Sequence, residues 1–449
     1  MINCKITEFN ITPENIWKDD VLNREQVAKD FTNIITKLNS PLVVAINGEY
    51  GMGKSFFIKR WAEELRKNNK VVFFDAWQCD FQKEPLIPFI DIILKEAFPE
   101  NIKLKDSTKD MIEKLVSAAN NTLNIISSQK DIIKEIYNKF TNKKPLEDYE
   151  KIQESINKFK KTLEENLLNE KLYIFVDELE RCRPTYAIEL LEAIKHIFNI
   201  NNLIFILAIS REQLKHTVSQ MYGLNMDGDG YLKRFIDLEL QLPSPDRNKF
   251  CNMLKNQFQI CNKNEQDERN YSTGWSCFCN YFSELANGYN LSLRDIIHCW
   301  GEISILYNLW EDNTFKFMPI LAWFVILRYK NIKIFNQLEY ITFEKLLEEF
   351  SKNISPKTKY FKEMNSFILL LSIDNLFQRR ETLLRERSVL LSTNSTRNIN
   401  RDLKRIDLDI EVTTKAMEYK EITFDRFNIE SGNELIKYIK QKMSYVSNN

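Results

Sequence analysis

Histidine is almost missing from this chain, and so is any zinc-binding arrangement of cysteines. Three histidines (His196, His216 and His298) are spread through 449 residues, and the eight cysteines form no C-x-x-C pair. Structural zinc sites need paired ligands at short spacing, so none is expected. His298-Cys299 beside Cys277-x-Cys279 reads instead as thiols packed between helices. Glycine and proline are scarce, at 10 and 11, and no internal repeat or low-complexity segment is present. Net charge is missing too: lysine plus arginine and aspartate plus glutamate stand at 63 each. No global basic field therefore points to nucleic acid. The longest apolar stretch, Phe317 to Leu327, has 11 residues and contains Pro319. A bilayer span needs roughly 20, so this stretch is expected as a buried helix and no membrane partner is expected. No signal peptide precedes the first strand, which makes a cytoplasmic protein with reduced thiols the expectation.

Three of the ten glycines fall in one octapeptide, Gly48-Glu49-Tyr50-Gly51-Met52-Gly53-Lys54-Ser55. It meets every position of the G-x-x-x-x-G-K-[ST] phosphate loop. The run Leu42 to Ile46 reads as the buried strand entering it, and Phe56 to Arg66 as the helix leaving it. The glycines let the backbone curl so that successive N–H groups face an anion at a helix N-terminus. Lys54 is expected on the β- and γ-phosphates and the Ser55 hydroxyl on Mg²⁺, with Phe56 opening the helix. ATP with Mg²⁺ is the expected ligand. The N-K-x-D base reader of GTPases is absent, Asn262-Lys263-Asn264-Glu265 being a near miss outside any strand end.

Strand-like runs recur at 42–47, 70–75, 171–177, 203–209 and 235–241, with helical segments between them. That alternation predicts a parallel sheet covered on both faces. Residues 1–245 are read as this nucleotide-binding core. Lys54 and Asp177 are 123 positions apart, and 101–170 carries no strand signal, so it is read as a helical insertion. Within it Tyr149, Ile152, Ile156, Phe159, Leu163 and Leu167 form a heptad-like seam that either packs back on the core or pairs two copies. Beyond Pro243-Ser244-Pro245 the pattern is helical: 246–310 is read as a lid and 311–449 as an interaction domain. Its charged stretch from Arg379 to Arg405 reads as a solvated helical hairpin, nucleic-acid contact being the other option.

The second half of a site is legible in Leu172-Tyr173-Ile174-Phe175-Val176-Asp177-Glu178, a hydrophobic strand ending in two carboxylates. Asp177 is the candidate Mg²⁺ ligand beside Ser55, and Glu178 the candidate base for the attacking water. Ser210, after the fourth strand, is a candidate γ-phosphate sensor or simply a helix cap. Arg234, in the Tyr231-to-Pro243 segment, resembles the arginine before the last strand of AAA-type ATPases. There it often completes a neighbour's site. Arg294, in Leu291-Ser292-Leu293-Arg294-Asp295, resembles the lid arginine of the same class; surface ion pairing explains either arginine equally well. The expected fold is thus α/β, a P-loop NTPase with a five-stranded parallel sheet in additional-strand, AAA-like order and C-terminal all-α domains.

The phosphate loop, Phe73-Phe74-Asp75-Ala76-Trp77 and the block Asp177-Glu178-Leu179-Glu180-Arg181-Cys182-Arg183-Pro184 together resemble the KAP family of P-loop ATPases. The likeness covers roughly residues 15–300. Asp75 stands where that family favours Asn, Glu178 where it often has Asp, Ser210 where Asp is frequent, and Arg234 where Lys is. Many members carry transmembrane helices in the insertion. Here that segment is too polar, with Asn120-Asn121 inside its best apolar stretch, so a soluble bacterial member is expected. The resemblance implies an ATPase acting as a switch or assembly subunit, often within antiphage-defence or mobile-element operons. Its expected partners are further copies of itself and a protein effector. A nucleotide-gated scaffold with negligible turnover is the alternative. A DNA-acting motor or loader comes third, lacking any recognisable DNA-binding motif.

Overall fold

A computed structural model describes residues 11–82, 84–126, 144–168, 170–223, 225–258, 275–309, 318–355, 361–372, 376–392, 399–427, 431–444 and 446. The described residues divide into two compact units, one within 9–244 and the other within 245–449. The near-miss Asn262–Glu265 and the seam side chains Tyr149 and Ile152 lie outside what is described.

The first unit begins with α1 (Arg24–Ile35), β1 (Leu42–Asn47), α2 (Lys54–Arg66), β2 (Lys70–Asp75), α3 (Ala76–Cys79) and α4 (Leu86–Ala97). It continues through α5 (Ile102–Ile126), α6 (Lys144–Asn166), β3 (Leu172–Asp177), a 3₁₀ turn (Leu179–Arg181) and α7 (Pro184–His196). It closes with β4 (Leu203–Ile209), α8 (Arg211–Tyr222), α9 (Gly228–Leu232) and β5 (Leu238–Gln241). All five strands are parallel, in the order β2-β3-β4-β1-β5. β4 therefore lies between the phosphate-loop strand and the acidic strand, the additional-strand arrangement the sequence predicts.

Period-2 alternation sorts the strand residues onto two cores. Val43 and Ala45 of β1, with Leu203, Phe205 and Leu207 of β4, face the cluster that includes α4 and α7. Val44 and Ile46, with Ile204, Ile206 and Ala208, face the cluster of α1 and α2. The sheet is thus covered on both sides, as near-continuous apolar strands require.

The insertion forms the pair α5 and α6, which pack on each other. Phe159, Leu163 and Leu167 join Leu104 and Met111 in the first of these cores, so the seam packs back on its own core. Each such buried side chain contributes about 1.5–3 kcal/mol of transfer free energy.

Boundaries shift slightly from the sequence expectations. β3 begins at Leu172 and β5 only at Leu238, because Phe235 and Ile236 donate their N–H groups back to Leu232 and continue the turn after α9. The phosphate-loop helix starts two residues earlier than expected, at Lys54.

The second unit holds only helices among its described residues: α10 (Arg247–Gln257), α11 (Trp275–Gly288), α12 (Leu293–Leu309), α13 (Met318–Lys330) and α14 (Ile332–Gln337). They are followed by α15 (Phe343–Asn353), α16 (Phe361–Ser372), α17 (Leu376–Ser392), α18 (Ile399–Phe427) and α19 (Gly432–Ser444). Ile320 to Leu327 of α13 are fully buried, so the longest apolar stretch is a core helix. No helix among the described residues is long and apolar enough to cross a membrane. The described residues of the charged stretch, 379–392 and 399–405, lie on α17 and α18, which pack together with Arg387 paired to Asp407 and Arg380 Nε donating to Thr414 Oγ1 at 3.2 Å.

Candidate nucleotide-binding site

β1 ends at Asn47, and the chain turns at once into the Gly48–Gly53 loop. Gly51 and Gly53 have φ of 77° and 86°, a region that costs glycine nothing and other residues about 1–2 kcal/mol. Gly53 occupies the N-cap of α2 and has no side chain with which to satisfy the first-turn N–H groups. These donors, with the helix dipole behind them, make an anion cradle. Gly48 runs against the Lys54 stem: a Cβ there would sit 3.5 Å from Lys54 Cγ. Met52 is buried in the loop, whereas Glu49 and Tyr50 are exposed.

Lys54 is 8% exposed and its ammonium folds back over the loop, donating to Gly48 O at 2.6 Å and Glu49 O at 3.3 Å. Burial holds the Lys54 ammonium below the usual lysine range, against the pull of Glu180, Asp177 and Glu178. Phe56, next on α2, lies beneath the Arg60 guanidinium at 3.6 Å. Arg60 in turn pairs with Asp19 through 2.7 and 2.9 Å hydrogen bonds, fastening α2 to the lead-in.

β3 carries Asp177 to the same edge of the sheet. Asp177 is 2% exposed, its Oδ1 accepts the Glu178 N–H at 2.9 Å, and its Oδ2 has no hydrogen-bond partner. Burial pushes its carboxyl up to about 6, with Ser55 pulling the other way. A buried carboxylate oxygen left unpaired beside a hydroxyl is the donor set a hard divalent cation takes, so Ser55 and Asp177 fit Mg²⁺. Glu178 sits in the left-handed region, φ 62°, a strained choice for a non-glycine that marks functional sites. The strain turns its side chain to the loop, where Ser55 Oγ donates to Glu178 Oε1 at 3.1 Å.

Ser210 follows β4 at this edge, buried and at the N-cap position of α8, yet its hydroxyl makes no cap hydrogen bond. Arg234 is exposed at the end of α9 with its guanidinium 5.8 Å over the Tyr231 ring. Arg294 opens α12 in the second unit. The structure thus brings Lys54, Ser55, Asp177 and Glu178 together, while Arg234 lies on the turn after α9 and Arg294 belongs to the second unit.

The structure also gives partners to residues for which the sequence named none. Glu180, one turn past Asp177, reaches Lys54 at 3.7 Å. Arg181 pairs with Glu178. Asn47 joins β5 to α8, donating from Nδ2 to Glu239 at 2.8 Å and accepting the Arg211 N–H at 3.2 Å. Arg183 binds Asp80 through N–H and Nε at 3.1 and 3.0 Å, closing the loop after β2 onto the acidic block. The signal for the first two was spacing: three residues across a tight turn place side chains on one face.

A phosphate loop at the end of β1, two acids at the end of β3 and β4 between them define an additional-strand P-loop NTPase. The chain belongs to the KAP family, whose P-loop domain model matches residues 24–417. Over 186 residues it is 23% identical to the phage T7 exclusion protein of Escherichia coli (strain K12), covering 40% of this chain and 24% of that protein. The chain therefore spans about a quarter of that relative's length. Among solved structures, the Aeropyrum pernix ORC2 protein in its ADP form aligns at 12% identity over 88% of this chain and 93% of that one, TM-score 0.35. AMPPCP-bound DnaA from Aquifex aeolicus aligns at 13% over 98% and 96%, TM-score 0.27.

Proposed function

We propose that this protein hydrolyses ATP and uses the cycle as a conformational switch or assembly step in bacterial antiphage defence, in the cytoplasm. The observation that carries the reading is the 3.1 Å contact of Ser55 with Glu178, which joins the phosphate loop to an acid 123 positions away. In it the first-turn N–H groups of α2 and the Lys54 ammonium hold the phosphates. Ser55 and Asp177 would hold Mg²⁺, which would supply neutralisation of phosphate charge. Glu178 takes the proton of the attacking water, and Ser210 reports the γ-phosphate from the neighbouring strand end. Arg234, exposed just before β5, completes the site of a second copy, so the working form is an oligomer. The helical second unit, with Arg294 on its α12, recruits the effector protein.

The name of the T7 exclusion relative supports a role against phage. Steady-state turnover with and without Mg²⁺, read beside a phage-plating assay, tests the reading. Mg²⁺-dependent turnover lost in Glu178→Gln supports hydrolysis. Tight nucleotide binding without turnover would favour a nucleotide-gated scaffold instead.

A further inference from the structure

Glu178 is held from two sides, and its second holder lies outside the nucleotide cradle. Glu178 Oε1 faces the phosphate loop through Ser55, while Glu178 Oε2, which accepts no hydrogen bond, is ion-paired with Arg181 Nε. The pairing follows from the local backbone. Glu178 in its left-handed conformation starts a 3₁₀ turn, closed by Arg181 N donating to Glu178 O at 3.1 Å. In such a turn residues three apart eclipse, so both side chains leave from one face.

The guanidinium also lies over two half-exposed rings, Tyr50 of the phosphate loop at 5.5 Å and Trp77, just past β2, at 5.4 Å. A planar cation suits both tasks, stacking on aromatic faces and setting a fixed positive charge beside a carboxylate. Arg181 thereby touches the acid, the phosphate loop and the end of β2 at once.

We propose that Arg181 is the positioning residue of the hydrolytic carboxylate, a role that rests on the ATPase reading above. By holding Oε2 it fixes the plane of the Glu178 carboxylate and leaves Oε1, on the phosphate-loop side, as the oxygen that accepts the proton of water. The two rings remove the rotational freedom that a long side chain would otherwise lose only on pairing. Without the guanidinium the carboxylate swings, and misplacing a reacting group by about 1 Å costs on the order of 100-fold.

The test measures kcat, nucleotide Kd and thermal midpoint for the wild type, Arg181→Ala and Arg181→Lys. A fall in kcat of about 10- to 100-fold in Arg181→Ala is expected, with Kd and the thermal midpoint unchanged. Arg181→Lys should recover part of the loss, since it restores charge without the planar group. Combined with Glu178→Gln, the alanine change should cost nothing further, because it acts through that carboxylate. Unchanged or faster turnover in Arg181→Ala overturns the assignment. So does a joint loss of kcat, Kd and thermal midpoint, which marks a structural role. Should the alanine variant not fold, Arg181→Gln carries the same comparison. A wild type without turnover overturns the ATPase reading and this assignment with it, whereas an active wild type matched by Arg181→Ala overturns this assignment alone.

Discussion

Lys54 and Glu180 form an interior ion pair, Nζ to Oε1 at 3.7 Å with each side chain 8% exposed. Burial weakens both charges, holding Lys54 below and Glu180 above their usual ranges. Lys54→Ala should abolish or greatly weaken nucleotide binding while the protein still folds. It should also lose about 1–3 kcal/mol, because the Glu180 carboxyl is left buried and unpaired. Lys54→Ala with Glu180→Gln should regain most of that stability and none of the binding. Calorimetric titration with ATP and thermal melts check both halves; wild-type-like affinity in folded Lys54→Ala would sink the site assignment.

Glu178→Gln keeps the size and hydrogen-bonding reach of the side chain but cannot take a proton. It should bind ATP as the wild type does and hydrolyse it at least ~100-fold more slowly, the scale of a lost general base. Phosphate release measured beside nucleotide affinity decides it, and unchanged turnover would move the base to another carboxylate.

Arg234 is exposed on the turn before β5. If it serves a neighbour, specific activity should climb with protein concentration. Arg234→Ala and Lys54→Ala, each nearly inactive alone, should regain activity on mixing, because a hybrid pairs an intact loop with an intact arginine. The rate at stake is about 10³–10⁵, the contribution of an arginine supplied in trans. Flat specific activity and no complementation would assign Arg234 to surface pairing.

A pH dependence should arise in the second unit. Burial pushes the Glu302 carboxyl up to about 7, even though Arg328 pairs with it; Cys299 lies near it as well. A carboxyl whose pKa is raised on folding binds more protons folded than unfolded. Its stability contribution is therefore full below about 4.5 and lost as pH rises through about 7. A tenfold difference in proton affinity is worth about 1.4 kcal/mol, so a loss of about 1–3 kcal/mol is expected between pH 5 and 7.5. Melts across that window should show Glu302→Gln flatter than the wild type; parallel curves would refute it.

Much of the nucleotide site could be read from spacing alone, because its parts are local. A phosphate loop needs glycine where φ turns positive and lysine and serine at the helix start, and all fall within eight consecutive residues. The acidic pair ends a strand too apolar to be anything but buried. Glu180, Arg181 and Asn47 were not legible as partners, since each acts by pairing across a turn or between strands. The left-handed backbone at Glu178, which aims the acid, has no residue-type signature at all.

Residue order by itself determined the element types, the phosphate loop and the identity of the acids, since backbone sterics and apolar periodicity act over a few residues. Tertiary structure folded the Ile156–Leu167 seam onto its own core, and it brought Glu180 to Lys54 and Ser55 to Glu178. Those outcomes depend on burial and on charges meeting across more than a hundred residues, where desolvation sets the cost, and no local pattern records them.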